Sequence, residues 1–134
     1  MSQKTIVQLI VTYIEGHLFE EMEIKTIAEE LHYSKFYLAR VFREYTGSTI
    51  YKYIQNRRLT EAARMLVETE MPIVEIAYEV CYHSQQAFTL AFHQVYLCTP
   101  QAYRKNQIFY PKQIRLMRSR DLQSSIIREG RAAA

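Results

Sequence analysis

Apolar residues recur at helical spacing along most of this chain, and one stretch of the pattern is written twice. Residues 5–18 place Val7, Val11, Ile14 and Leu18 on one stripe with Ile6, Ile10 and Tyr13 beside them. That predicts an amphipathic helix, interrupted near Gly16 and the acidic stretch 20–23. A short helix over 24–31 follows, with Ile24, Ile27, Ala28 and Leu31 inward. After the Tyr33-Ser34 turn, a further helix directs Leu38, Val41, Phe42 and Tyr45 to a core. Ser34 suits the N-cap of that helix, because its hydroxyl can accept an orphan N–H of the first turn. The outline then returns: Ile73, Ile76, Ala77 and Val80, the turn Tyr82-His83-Ser84, and Phe88, Ala91, Phe92 and Val95. The second copy carries one extra residue in its turn, and Pro72 falls at the first turn of its opening helix, where proline is tolerated. A short helix, a tight turn and a second helix outline a helix-turn-helix. Two copies suggest a protein that reads two adjacent stretches of DNA.

The segment between the copies, from about 49 to 68, has neither Gly nor Pro, so it predicts a helix of about 30 Å. Its apolar face changes partway. At about 100° per residue, Ile50, Tyr53 and Ile54 cluster on one side, and Leu59, Ala62, Ala63 and Leu66 cluster roughly opposite. Met65 and Val67 fit neither stripe. A helix that buries its two halves against two different motifs has this pattern. Its length approaches one turn of B-DNA, about 34 Å, so it is expected to act as a spacer.

Composition narrows the class. With 134 residues, 49% hydrophobic content, 3 Gly and 3 Pro, the chain suits one helical domain or two small subdomains sharing a helix. No apolar run is long enough to cross a bilayer, and no signal-peptide pattern opens the chain. Cys81 and Cys98 are isolated thiols without metal-ligand spacing, which fits a reducing, cytoplasmic setting and no metal or other cofactor. The net charge is +3, unevenly spread. Residues 34–64 hold seven Lys/Arg against two Glu, and 104–131 hold eight against two acids. Residues 65–103 hold no Lys or Arg and four Glu. A polyanion is therefore expected to lean on the first motif and the tail.

The outward faces of the two second helices carry the candidate chemistry. In the first motif they present Phe36, Ala39, Arg40 and Arg43, with Lys35 and Tyr37 on the flanks. Arg can fork to guanine, and an aromatic can lie on a thymine methyl or a sugar. The competing expectation is that Phe36 packs on the N-terminal helix. In the second motif Gln86, Thr89, Leu90 and His93 lie outward, with Gln85 at the edge of the first turn. Gln can pair bidentately with adenine, and Thr and Leu offer apolar contact to thymine methyls. No cation is available there, so phosphates would be met by N–H groups at the Ser84 end.

Arg58-Leu-Thr-Glu-Ala-Ala63, Pro72-Ile-x-x-Ile76-Ala77-x-x-Val80, Tyr82-x-Ser84-Gln-Gln-x-Phe88-x-x-x-Phe92 and Thr99-Pro100-x-x-Tyr103-Arg104 resemble the AraC/XylS family of bacterial transcription regulators. Ser-Gln-Gln and the pairing of Ser34-Lys35 with an aromatic are similar to the short MarA/SoxS/Rob-type members. The resemblance covers about residues 5–105. It implies an all-α, homeodomain-like fold of about seven helices, with two helix-turn-helix subdomains joined by a long central helix. The expected division is 1–50 for the first subdomain, 51–68 for the linker helix, 69–106 for the second subdomain and 107–134 for a basic tail. The resemblance further implies a monomer on an asymmetric double-stranded DNA site of about two turns, activating transcription through RNA polymerase. By position, Phe36, Ala39 and Arg40 would read the first groove segment, and Gln85, Gln86, Thr89 and Leu90 the second. Phosphate contacts would map to Ser34, Lys35, Tyr37, Ser84 and Arg104, with Arg43 added from its place on the outward face.

The chain departs from that group where Ala39 replaces the usual Gln and Leu90 the usual Arg. The turn glycine before the Tyr is His32 in the first copy and Cys81 in the second, and the glycine after the second recognition helix is Leu97. Cys tolerates positive φ poorly, so the second turn is expected to be reshaped, and the first motif is expected to supply most of the affinity. Beyond Lys105, residues 112–129 could form a basic helix (Ile114, Met117, Leu122, Ile126) or an arm along phosphates, and the closing Glu-Gly-Arg-Ala-Ala-Ala could be an expression remnant.

An enzyme is not expected: there is no nucleophile motif, no glycine-rich phosphate loop, and His17, His32, His83 and His93 are scattered. One competitor is a helical protein-interaction module anchored by Phe36 and Leu90. Another is the DNA-binding portion of a longer ligand-responsive regulator. RNA binding lacks the aromatic sheet platforms of the common modules.

Overall fold

A computed structural model of the chain describes residues 2–116. Seven helices make up its regular structure: α1 (Gln3–Gly16), α2 (Ile24–Leu31), α3 (Lys35–Thr46), α4 (Ile50–Glu68), α5 (Ile73–Glu79), α6 (Gln85–Tyr96) and α7 (Pro100–Asn106). Five begin with a Ser or Thr whose side-chain oxygen accepts an amide of the first turn: Ser2, Ser34, Thr49, Ser84 and Thr99. Such caps contribute about 1 kcal/mol each, and they fix where each helix starts. Pro72 stands one position earlier than expected, as the N-cap of α5, with its carbonyl accepting from Glu75 and Ile76. None of these helices is long and apolar enough to cross a membrane.

Two separate cores form, and α4 belongs to both. The first gathers Ile6, Val7, Ile10 and Ile14 of α1, Ile27 and Ala28 of α2, Leu38, Val41 and Phe42 of α3, and Ile50, Tyr53 and Ile54 from the start of α4. The second gathers Leu59, Ala62, Ala63 and Leu66 from the rest of α4, with Ile76, Phe88, Phe92 and Tyr103. The change of face read along the linker is thus the change of core. Met65 and Val67, which fitted neither stripe, pack half-buried on the second core.

Two core assignments need correction. Tyr45 shares the azimuth of Leu38 but is 42% exposed. The end of α3 outruns its packing partner there: Gln3, at the very start of α1, sits beside Glu44 (Nε2 to Oε2, 3.4 Å). In α6, Val95 is only half-buried, and Tyr96 is buried in its place. Tyr96 stacks on Phe92 at 4.6 Å and meets Tyr103 edge-on at 4.9 Å, so an aromatic cluster draws the core around that side.

The second turn is not reshaped. Tyr33 N–H reaches the Ala28 carbonyl in the first copy and Tyr82 N–H the Ala77 carbonyl in the second, at 3.0 and 2.9 Å. His32 and Cys81 both adopt the left-handed backbone these turns need, at φ 61° and 70°. The extra residue, His83, is accommodated past that point, before the cap Ser84. Leu97 is left-handed as well, at φ 62°.

The described part of the tail is neither a helix nor a detached arm. Residues 107–116 run back over α4, and 112–116 are non-helical because hydroxyls of Thr60 and Tyr53 accept their amides. Residues 117–134, including the rest of the expected basic helix, lie outside the described residues.

Candidate nucleic-acid interface

The N-terminal ends of α3 and α6 are built alike. Ser34 Oγ accepts from Tyr37 N–H at 3.1 Å, and Ser84 Oγ accepts from Ala87 N–H at 3.0 Å. A hydroxyl that accepts an amide still holds its own proton to donate, so each cap can also reach a phosphate oxygen. The unpaired amides and the positive end of the helix dipole favour an anion at the same place.

On α3, Phe36 is 77% exposed, which overturns the expectation that it packs on the N-terminal helix. Lys35, Ala39, Arg40 and Arg43 are exposed around it, and Tyr37 is half-buried. The Lys35 ammonium lies 5.3 Å from the Phe36 ring centre, and Arg40 lies 5.3 Å from that of Tyr37. Arg40 also pairs with Glu44 one turn on, at 3.0 Å. Such an exposed pair is weak, so a guanine or phosphate can compete for the guanidinium. Phe36 and Ala39 edge a largely apolar groove of about 590 Å³, together with Lys35, Ile24, Ile54 and Tyr51.

Tyr51, 68% exposed, was missed by the sequence reading. A signal for it exists, since it points to the side of α4 opposite Tyr53 and stands about two turns before Leu59, where the second apolar stripe begins. Lys52, beside it, is exposed too.

On α6, Gln85, Gln86, Thr89, Leu90 and His93 line one shallow depression of about 570 Å³. Leu90 is 64% exposed, Gln85 and Gln86 are exposed, and Thr89 is half-buried. Two faces therefore offer side chains outward from capped helices, one cationic and aromatic, the other without Lys or Arg.

Several cations counted toward the basic stretches have other employment. Arg57 is 7% exposed and holds both Glu15 oxygens (2.8 and 3.0 Å), Glu61 (3.1 Å) and the Gln113 carbonyl (3.0 Å). Burial works against its charge, but the hydrogen bond and charge of Glu15 outweigh that and raise its pKa further. Arg58 donates to the Leu18 and Glu20 carbonyls, and Arg64 pairs with Glu61 and Glu68 while covering the Phe109 ring at 4.6 Å. Arg104, mapped to a phosphate by resemblance, donates to the carbonyls of Leu66 (2.9 Å), Thr69 (3.3 Å) and Met71 (2.7 Å), closing the C-terminal end of α4. Of the seven cations in 34–64, this leaves Lys35, Arg40, Arg43 and Lys52 on and around α3.

Two capped second helices with outward polar faces, each on its own core and joined by one long helix, define a double helix-turn-helix DNA-binding protein. Residues 27–106 match a family model described as a helix-turn-helix domain. The chain is 40% identical over 104 residues to regulatory protein SoxS of Salmonella typhimurium, covering 78% of this chain and 97% of the relative. It is 38% identical over 106 residues to the right origin-binding protein of Escherichia coli, covering 79% of this chain and 37% of the longer relative. Among solved structures, an AraC-type transcriptional regulator from Chromobacterium violaceum superposes with a TM-score of 0.73 at 25% identity, over 77% of this chain and 92% of that one. The chain belongs to the AraC/XylS family of DNA-binding transcription regulators, in its MarA/SoxS/Rob-type group, a family of regulators and not of enzymes.

Proposed function

We propose that this regulator binds double-stranded DNA as a monomer, with α3 and α6 in adjacent major-groove segments of an asymmetric site, and activates transcription in the cytoplasm through contacts with RNA polymerase. Residues 1–50 and 69–106 act as the two reading units, 51–68 as the spacer and 107–134 as a basic tail. Phe36, Ala39 and Arg40 meet bases in one segment, and Gln85, Gln86, Thr89 and Leu90 meet them in the other. Ser34, Lys35, Tyr37, Arg43 and Ser84 hold phosphates. Arg104, whose carbonyl bonds use Nε and Nη2, would meet a phosphate through Nη1.

The observation that carries this reading is the pair of exposed faces on helices whose N-termini are both Ser-capped. The cations around α3, set against none on α6, support the view that the first motif supplies most of the affinity. The test is selection of bound sequences from a random duplex library at two salt concentrations, followed by Arg40→Ala and Gln86→Ala. Expected are two information blocks about ten base pairs apart, a steep loss of affinity with salt, and a larger loss for Arg40→Ala. Equal losses would sink the affinity ranking. No enrichment at either salt would favour the protein-interaction module instead.

A further inference from the structure

The segment 107–116 lies antiparallel to α4 and engages it in strict order. Phe109 meets Arg64. The amides of Lys112 and Gln113 both donate to Thr60 Oγ1, at 3.2 and 2.9 Å. The Gln113 carbonyl accepts from Arg57 at 3.0 Å, and the Leu116 amide donates to Tyr53 Oη at 3.1 Å. Positions 64, 60, 57 and 53 fall within about 60° of one another on the helix, so the segment follows a single stripe.

Its two ends belong to different cores. Phe109 packs on the second core, where the Tyr110 carbonyl accepts from the Tyr96 and Tyr103 hydroxyls at 3.2 and 3.4 Å. Leu116 packs on the first. Arg57 ties the same stripe to α1 through Glu15. The opposite side of α4 carries Tyr51, in the groove with Phe36, and Gln55, hydrogen-bonded to Tyr82 in the second turn. The segment therefore leaves the recognition side open.

We infer that residues 107–116 form a strap that fixes the distance and rotation between the two motifs, and so sets which spacing of two DNA blocks the protein accepts. A bare helix joining two small cores can bend and twist at its middle. A second connection alongside it, bonded at both ends and at the centre, removes that freedom. Thr60 and Tyr53 are positioning residues in this arrangement, because their hydroxyls are the buried acceptors for three strap amides. The DNA consequence rests on the two-helix reading proposed above, whereas the mechanical one does not.

The experiment compares the wild-type 134-residue chain with Thr60→Val/Tyr53→Phe, and with Thr60→Ser, which keeps the hydroxyl. Distances are measured without DNA between spin labels carried on unnatural amino acids at the exposed positions Glu30 and Glu79. A narrow distribution is expected for wild type and Thr60→Ser, and a broad one for the double variant. Equal widths would overturn the strap.

The same proteins are then titrated with duplexes bearing the two blocks at the selected spacing, and with one base pair added or removed, a rotation of about 35°. Wild type is expected to lose about a hundredfold on the altered spacing and the double variant less than about tenfold, one to two steps of 1.4 kcal/mol. A broadened distribution with wild-type spacing discrimination would overturn the link from strap to DNA spacing. Broadening in the double variant, with no spacing preference even in wild type, would keep the mechanical strap and remove the two-helix reading.

Discussion

Replacing Arg57 by Met tests whether the junction between α1, α4 and the tail is held by charge. The guanidinium is 7% exposed and is the partner of both Glu15 oxygens, of Glu61 and of the Gln113 carbonyl. Glu61 would keep Arg64 at 3.3 Å. Glu15, whose side chain is 11% exposed, would be left as a carboxylate facing the Met side chain. Breaking a buried pair on one side costs about 3–5 kcal/mol, because an uncompensated charge remains. Removing both partners with apolar groups of similar size is close to neutral. Arg57→Met should therefore lower unfolding free energy by about 3 kcal/mol in urea titrations at neutral pH. Arg57→Met/Glu15→Leu should recover most of that, with a coupling energy of roughly 2 kcal/mol in the double-mutant cycle. A single variant that loses less than about 1 kcal/mol, or a double variant that loses the sum of the two singles, would refute the account.

Three further outcomes are expected. Leu97→Gly relieves a left-handed backbone at an exposed site and should raise stability by about 0.5–1 kcal/mol, the strain relieved less the extra freedom of the unfolded chain; a lower Tm would contradict this. Burial pushes Tyr53 and Tyr96 up to about 12, against partly offsetting hydrogen bonds from the Leu116 amide and from Thr60. A folded-state pKa above the unfolded one means stability that is present below pH 10 and lost as pH rises toward 12. Each Tyr should thus remove about 2–3 kcal/mol across that window, and replacing both by Phe should flatten an alkaline unfolding curve followed by circular dichroism. Finally, Arg104→Leu removes the donor for three carbonyls at the end of α4 and should cost about 2 kcal/mol by thermal melting; an unchanged melt would show those bonds to be dispensable.

What the chain states locally was legible in order. Ser34 and its counterpart Ser84 announce helix starts, because a cap acts on amides two or three residues away. The apolar stripes of α2, α3 and α6 gave their buried faces, and the reversal of stripe along α4 gave two cores before either was seen. The outward positions of Phe36, Arg40, Gln86 and Leu90 followed from the same angles. The errors lie at Tyr45 and Val95, where azimuth was right but the neighbouring element ended or an aromatic cluster formed on the adjacent side.

The destiny of the cations was not legible. A Lys or Arg adds the same charge to a count wherever it points, yet Arg57 meets Glu15 across 42 residues and Arg104 reaches the Leu66 carbonyl across 38. Only tertiary structure brings such partners together, and only then does a charge become either a structural tie or a free contact. The path of residues 107–116 was hidden for the same reason. Their backbone has no local preference that names its partners, and the acceptors are hydroxyls of Thr60 and Tyr53, more than 50 residues earlier in the chain. Sequence by itself thus determined the class of fold, the family and which side chains of α3 and α6 face outward. The three-dimensional packing decided which charges remain for DNA and what ties the two motifs together.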